Sequence, residues 1–190
     1  MHLQSTEISN ELLSEAASTI RSLTKALPGE PRLRWYEDRS HVSGGVSSYR
    51  PHTLFHGAQS PLAIPFRVEE EHRDDGSLGL VGRVTVGRLY EGPPMTVHGG
   101  YLAGLFDAIL GDTQRVVPGD PAMTGVLEIR YPQRTPLETP LLFRSWVESD
   151  RGRRLLIRAT CQIEGGDGSV TAEAKGFFVR VPLDRLRKGS

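Results

Sequence analysis

Residues 98–113 read His98-Gly99-Gly100-Tyr101-Leu102-Ala103-Gly104-Leu105-Phe106-Asp107-Ala108-Ile109-Leu110-Gly111-Asp112-Thr113. On a helix of about 3.6 residues per turn, Leu102, Leu105, Phe106, Ile109 and Leu110 share one side. That is a core face. Gly100, Gly104, Asp107 and Gly111 share the opposite side. Glycine inside a helix costs about 1 kcal/mol relative to alanine, and a surface helix usually fills its outer face with long polar side chains. A face stripped to hydrogen atoms around one carboxylate implies close approach by a ligand or by another copy of the helix. In such a crevice the carboxylate is partly desolvated and suited to act as a base. A plain helix–helix contact, with Asp107 in a structural hydrogen bond, explains the same residues.

The start of this helix carries a second signal. The first backbone N–H groups of a helix have no internal acceptor, and they carry partial positive charge. Glycines at that point let a carbonyl oxygen approach, which is the geometry of an oxyanion hole. An ordinary glycine-rich helix start is the competing reading of His98-Gly99-Gly100.

Outward from residues 98–113 the chain alternates between strand and turn signals. Toward the N-terminus, Glu91-Gly92-Pro93-Pro94 is a break. Before it, Phe66, Val68 and Glu70 alternate with charged neighbours, Asp74-Asp75-Gly76 is a turn, and Leu80–Leu89 is rich in β-formers. The two runs predict a hairpin. Toward the C-terminus, strands are predicted at Val126–Tyr131, Leu141–Val147, Leu155–Ile163 and Val170–Val181, with Gly165-Gly166-Asp167-Gly168 as a hairpin turn. Leu155, Ile157, Ala159, Cys161 and Ile163 form one apolar face, so Cys161 is expected to be core filler. A first helix spans residues 10–27, capped at Ser9-Asn10 and stopped by Pro28-Gly29. Between them, Trp35-Tyr36 and residues 40–60 read as a loop or arm. Tyr49, His52, Phe55 and His56 either belong to a site or pack that loop, and packing is the favoured reading. Runs of strands with one segregated helix give an α+β class.

Composition narrows the function. The 190 residues carry 23 basic and 23 acidic side chains, which argues against a broad electrostatic footprint for nucleic acid or an anionic membrane. The basic set is 20 Arg and 3 Lys. A single cysteine excludes an internal disulfide framework and a multi-cysteine zinc site, and fits a reducing compartment. No signal peptide or membrane-spanning run is read, so a cytoplasmic location is expected. The six His are scattered without metal-ligand spacing, and no GxSxG supports a serine nucleophile.

His98-Gly99-Gly100 with Asp107 at its spacing resembles the hotdog-fold acyl-CoA thioesterases, the phenylacetate-degradation type and its mitochondrial relatives above all. Glu91-Gly92-Pro93-Pro94, Leu105-Phe106-Asp107, Thr124-Gly125, Tyr131-Pro132, Thr135-Pro136-Leu137 and Ala172-Glu173-Ala174-Lys175-Gly176 fall in the family's order, over roughly residues 60–182. The resemblance implies a hotdog fold: a long central helix wrapped by a curved antiparallel sheet, here with an N-terminal helical extension. It divides the chain into an extension over 1–60, a hotdog domain over 61–183 and a tail over 184–190. It implies hydrolysis of an acyl-CoA or acyl-carrier-protein thioester, with no metal and no cofactor. Asp107 is then the general base or nucleophile. The Gly99 amide, with Gly100, polarises the carbonyl across a homodimer interface, and dimers pair again in some relatives.

By the same resemblance His98 caps or orients the helix start, with a role as base the lesser option. Thr124 and Gly125 line the substrate site, and Thr124 is placed to supply a hydroxyl. Among Arg130, Arg134, Arg153 and Arg154, Arg134 is the first choice for a CoA phosphate. Two positions depart from the family. Glu91-Gly92 stand where some relatives carry Asn or Gln, and Gly111 stands where some carry a hydroxyl. Two other readings share the fold: an enoyl-thioester hydratase or dehydratase, and a non-catalytic acyl-thioester-binding protein. The absence of a histidine one turn after Asp107 ranks the hydratase lower.

Overall fold

The computed structural model describes residues 7–27, 29, 53–55, 57, 60, 63–182, 184 and 185. Trp35, Tyr36, Tyr49, His52, His56 and most of the C-terminal tail lie outside them. The chain divides into two compact units, Met1–Arg34 and Trp35–Ser190. In the first, helix α1 covers Asn10–Ala26. The Ser9 hydroxyl accepts from the Leu12 N–H at 3.4 Å, which is the expected cap. None of its residues is buried.

The second unit holds six antiparallel strands and one long helix. The strands are β1 (Arg67–His72), β2 (Leu78–Thr85), β3 (Ala122–Arg130), β4 (Pro140–Arg151), β5 (Arg154–Ile163) and β6 (Val170–Arg180). Helix α2 (Gly99–Thr113) lies between β2 and β3 in sequence. The sheet order is β1-β2-β4-β5-β6-β3, so β1 and β3 are the edges. The predicted hairpin forms, turning at Gly76 with φ 78°. This is the expected α+β arrangement, with α2 at the predicted bounds.

Helix α2 buries Leu102, Leu105, Phe106, Ile109 and Leu110, the face that periodicity predicts. Against it stand Val84 and Phe143 and, from the two C-terminal strands, Ile157, Cys161, Ala174 and Phe178. The Phe143 ring meets Phe66 and Phe106 edge-on, with centroids 5.3 and 5.1 Å apart, a favoured aromatic geometry. The helix comes close enough that a Cβ on Gly82 would lie 3.1 Å from the Ile109 side chain. At the far end of α2 the buried Thr113 hydroxyl bonds both the Ile109 carbonyl, at 2.7 Å, and the Ser145 hydroxyl of β4.

Three expectations need correction. Strand β3 starts at Ala122, not Val126, because a bulge between Thr124 and Val126 breaks the alternation that marks a strand. Strand β4 runs on to Arg151, where a bulge beyond Val147 has the same effect. Ile163 is 37% exposed, since the apolar face of β5 reaches the open end of the sheet there.

The arginine excess is partly used on the sheet surface turned away from α2. Arg83 pairs with Glu164 at 2.8 Å, Arg144 with Glu71 at 3.0 Å and Arg158 with Glu148 at 2.5 Å. Cys161 is 0% exposed, and burial pushes its thiol up to about 12.

Candidate active site on helix α2

The chain enters α2 through a tight loop. The Glu91 carboxylate accepts from the Met95 N–H at 2.6 Å, and Glu91 bridges to Val97. Glu91 therefore serves as a loop fastener at the place where some relatives carry an amide side chain. Gly92 is needed there, because a Cβ would stand 2.9 Å from the His98 Cα.

His98 is the N-cap of α2. Its Nδ1 accepts from the Gly100 N–H at 3.0 Å, and its carbonyl accepts from Tyr101 and Leu102. Three of the first four helix amides thus end on one residue. Among the described residues the Gly99 N–H has no acceptor. Gly100 was expected as a second oxyanion donor, but its N–H is engaged by the histidine cap. His98 is outside the usual set of capping residues, so nothing in the sequence announced this.

Tyr131, at the end of β3, reaches back to this helix start. Its hydroxyl donates to the Gly99 carbonyl at 2.8 Å, and its ring lies against Gly99, 3.5 Å from where a Cβ would be. Partial burial raises its pKa above the usual tyrosine value, so it remains a donor at neutral pH. In the sequence Tyr131 stands out only through the Tyr131-Pro132 pair of the family resemblance.

Asp107 lies two turns further along. The Thr124 hydroxyl of β3 donates to Asp107 Oδ1 at 3.0 Å. The bulge beside Gly125 directs Thr124 inward. Gly125 itself sits close to β6, where a Cβ would be 3.3 Å from the Phe177 carbonyl oxygen. Asp107 is exposed on the single chain. The described residues of one copy therefore do not build the expected crevice around this carboxylate.

The glycine face is only partly open. Gly111 has free space where a Cβ would be. Gly104 does not: a Cβ there would lie 2.1 Å from the Phe55 ring. Phe55 also faces Tyr101, with centroids 5.8 Å apart, and Tyr101 stacks on Tyr90 at 3.8 Å. Burial, with Tyr90 beside it, holds the Tyr101 hydroxyl above the ordinary tyrosine range. Phe55 therefore packs, and it does so on the glycine face, where the sequence implies close approach by a ligand or a second helix.

Arg134 is exposed in the loop after β3. The neighbouring Thr135 carbonyl accepts from Val97, so Arg134 stands beside the approach to α2. Arg130 is paired with Glu173 at 3.9 Å. Arg153 lines a separate groove with Arg180 and Arg185. Among the described residues no group of three or more His, Cys, Asp or Glu is placed to hold a metal ion, and no helix is long and apolar enough to cross a membrane.

A crystal structure of a thioesterase superfamily protein matches 94% of this chain and 83% of its own length, at 30% identity and a TM-score of 0.74. The chain belongs to the thioesterase superfamily, and its fold is the hotdog fold. Acyl-coenzyme A thioesterase THEM4 of Xenopus laevis is 32% identical over 96 residues, which are 50% of this chain and 42% of the relative. The match therefore spans less than half of that relative's length. A hypothetical thioesterase from Streptococcus pneumoniae, solved with coenzyme A, shares the fold at 20% identity and a TM-score of 0.50, over 60% of this chain and 89% of its own. No protein-family model matches the chain.

Proposed function

We propose that this protein hydrolyses an acyl thioester, of CoA or of an acyl-carrier protein, to a free acid and a thiol. The observation that carries the reading is the Thr124-oriented carboxylate of Asp107 on the glycine face of α2. The Gly99 N–H at the start of the same helix, without an acceptor among the described residues, supports it. Family membership and the similarity to an acyl-CoA thioesterase point the same way.

Asp107 and Gly99 cannot serve one reacting carbon within a single chain. Eight residues separate them, about 12 Å along a helix rising 1.5 Å per residue. A nucleophile or base and an oxyanion donor must both come within about 3 Å of the reacting atoms. A homodimer with antiparallel helices resolves this, setting Asp107 of one copy beside Gly99 of the partner subunit. The edges favour β3 as the dimer strand. β1 carries Glu69, Glu70 and Glu71, the kind of charge that blunts an edge, whereas β3 presents Val126, 50% exposed.

In the base form of the reaction, Asp107 takes a proton from water as the water oxygen bonds to the thioester carbon. The Gly99 N–H holds the developing oxyanion, and one such donor is worth about 3–4 kcal/mol. The C–S bond then breaks and the thiolate takes the proton from Asp107. In the nucleophile form the carboxylate attacks first, and water cleaves the resulting mixed anhydride. Thr124 fixes the carboxylate in either form, and Gly125 leaves room beside it. His98 and Gly100 shape the helix start without donating to the oxyanion, and Arg134, exposed in the loop after β3, is assigned to a CoA phosphate. A reducing, cytoplasmic setting suits the single thiol.

The test is release of free thiol from a panel of acyl-CoA thioesters by the purified protein. Release above the spontaneous rate supports the reading. Tight acyl-CoA binding without turnover would instead make it a non-catalytic binding protein.

A further inference from the structure

Beside the start of α2 lies a cleft of about 350 Å³ whose lining includes Phe55, Leu89, Tyr90 and Tyr101 together with His98 and Gly100 of the helix start. The cleft therefore opens where the thioester carbonyl would sit. Its volume is near the lower end of the roughly 300–1,000 Å³ typical of small-molecule sites. Among the described residues its lining holds no arginine or lysine, and Glu91 is its one acidic residue. Such walls suit an uncharged hydrocarbon and disfavour phosphate or an anionic acyl group.

We propose that this cleft receives the acyl group and that Phe55 sets the acyl length it accepts. The inference rests on the thioesterase reading above and adds the substrate class: compact, uncharged, apolar acyl groups. Phe55 comes from a segment preceding the sheet, yet its ring both lines the cleft and occupies the space over Gly104. With the ring removed, the space over Gly104 would join the cleft and admit a longer acyl chain. Gly104 is the small residue that makes this seat possible, since any Cβ there would expel the ring.

The experiment measures thiol release from straight-chain acyl-CoA substrates of four to twelve carbons, comparing wild type with F55A and F55W. The readout is the ratio of kcat/KM for the twelve-carbon to the four-carbon substrate. A hydrophobic pocket discriminates about 10-fold or more per methylene at its limit. The ratio should rise at least about tenfold in F55A and fall in F55W. A structural role alone would lower both substrates together and leave the ratio in place. Active wild type with a ratio unmoved in both variants overturns this inference while the thioesterase reading stands. Wild type that releases no thiol from any chain length overturns both.

Discussion

The Thr124 hydroxyl donates to Asp107 Oδ1 at 3.0 Å, joining the bulge of an edge strand to the middle of α2. An exposed aspartate on a helix would otherwise sample several rotamers. This bond selects one of them and engages only one carboxylate oxygen, leaving Oδ2 for water or substrate. Removing the hydroxyl should misplace the carboxylate without touching the core, and misplacement by about 1 Å can cost about 100-fold in rate. T124V is expected to lower kcat by about 10–100-fold with an unchanged melting temperature, while T124S retains most activity. Steady-state thiol release beside thermal melts checks this.

Tyr131 holds the Gly99 carbonyl and so orients the start of α2. Y131F removes one neutral hydrogen bond, worth about 0.5–1.5 kcal/mol. The expected result is a loss of a few-fold to about tenfold in kcat. KM should be nearly unchanged, because the bond positions an oxyanion donor and touches no substrate. A kcat and KM series on the best acyl-CoA checks it.

His98 is a cap by geometry, with Nδ1 accepting from Gly100. Loss of an N-cap costs about 0.5–2 kcal/mol. H98A should lower the melting temperature by several degrees, and H98N, which retains an acceptor, should restore part of it. Both variants should remain active. A drop of about 1,000-fold in H98N would assign His98 to the chemistry instead.

Arg180 clamps Asp150 through two bonds of 2.9 Å and also reaches the Pro118 and Gly152 carbonyls. The hydrogen bond from Arg180 holds the Asp150 carboxyl below its ordinary value. A depressed folded-state pKa adds stability above the unfolded-state value, and that stability is lost as pH falls through the folded-state value. Wild type should therefore lose stability below about pH 4, near the unperturbed aspartate value. D150N should be less stable at neutral pH and flatter through that acid window. Denaturant melts from pH 3 to 7 measure both.

The Cys161 thiol, buried and pushed up to about 12, has almost no thiolate at neutral pH, and the thiolate is the reactive form. A thiol reagent at pH 8 should label none of the native protein and one site per chain after denaturation.

The long helix was legible because its apolar residues, from Leu102 to Leu110, keep a helical period over about two and a half turns. The position of Asp107 on the opposite face followed from the same wheel. Strands β5 and β6 were legible by alternation. The first residues of β3 were not, because the bulge at Thr124–Val126 removes the period that reveals a strand. That same bulge is what aims Thr124 at Asp107, so the irregularity hid the contact it creates. The Gly100 amide bond to His98 and the seat of Phe55 on Gly104 escaped for another reason. One uses an uncommon capping side chain, and the other joins distant residues through shape alone. The glycine face implies close approach by a ligand or a second helix; the structure fills its middle with a ring from the same chain and leaves Asp107 exposed.

The central claim is that Asp107 does the chemistry on a thioester. The most direct measurement is thiol release by D107N against wild type, on the acyl-CoA that wild type turns over fastest, with melting temperatures recorded in parallel. The account predicts a fall of at least about 1,000-fold in kcat, as for other variants lacking a base or nucleophile, with the fold intact. A folded D107N that retains wild-type kcat within tenfold would contradict it.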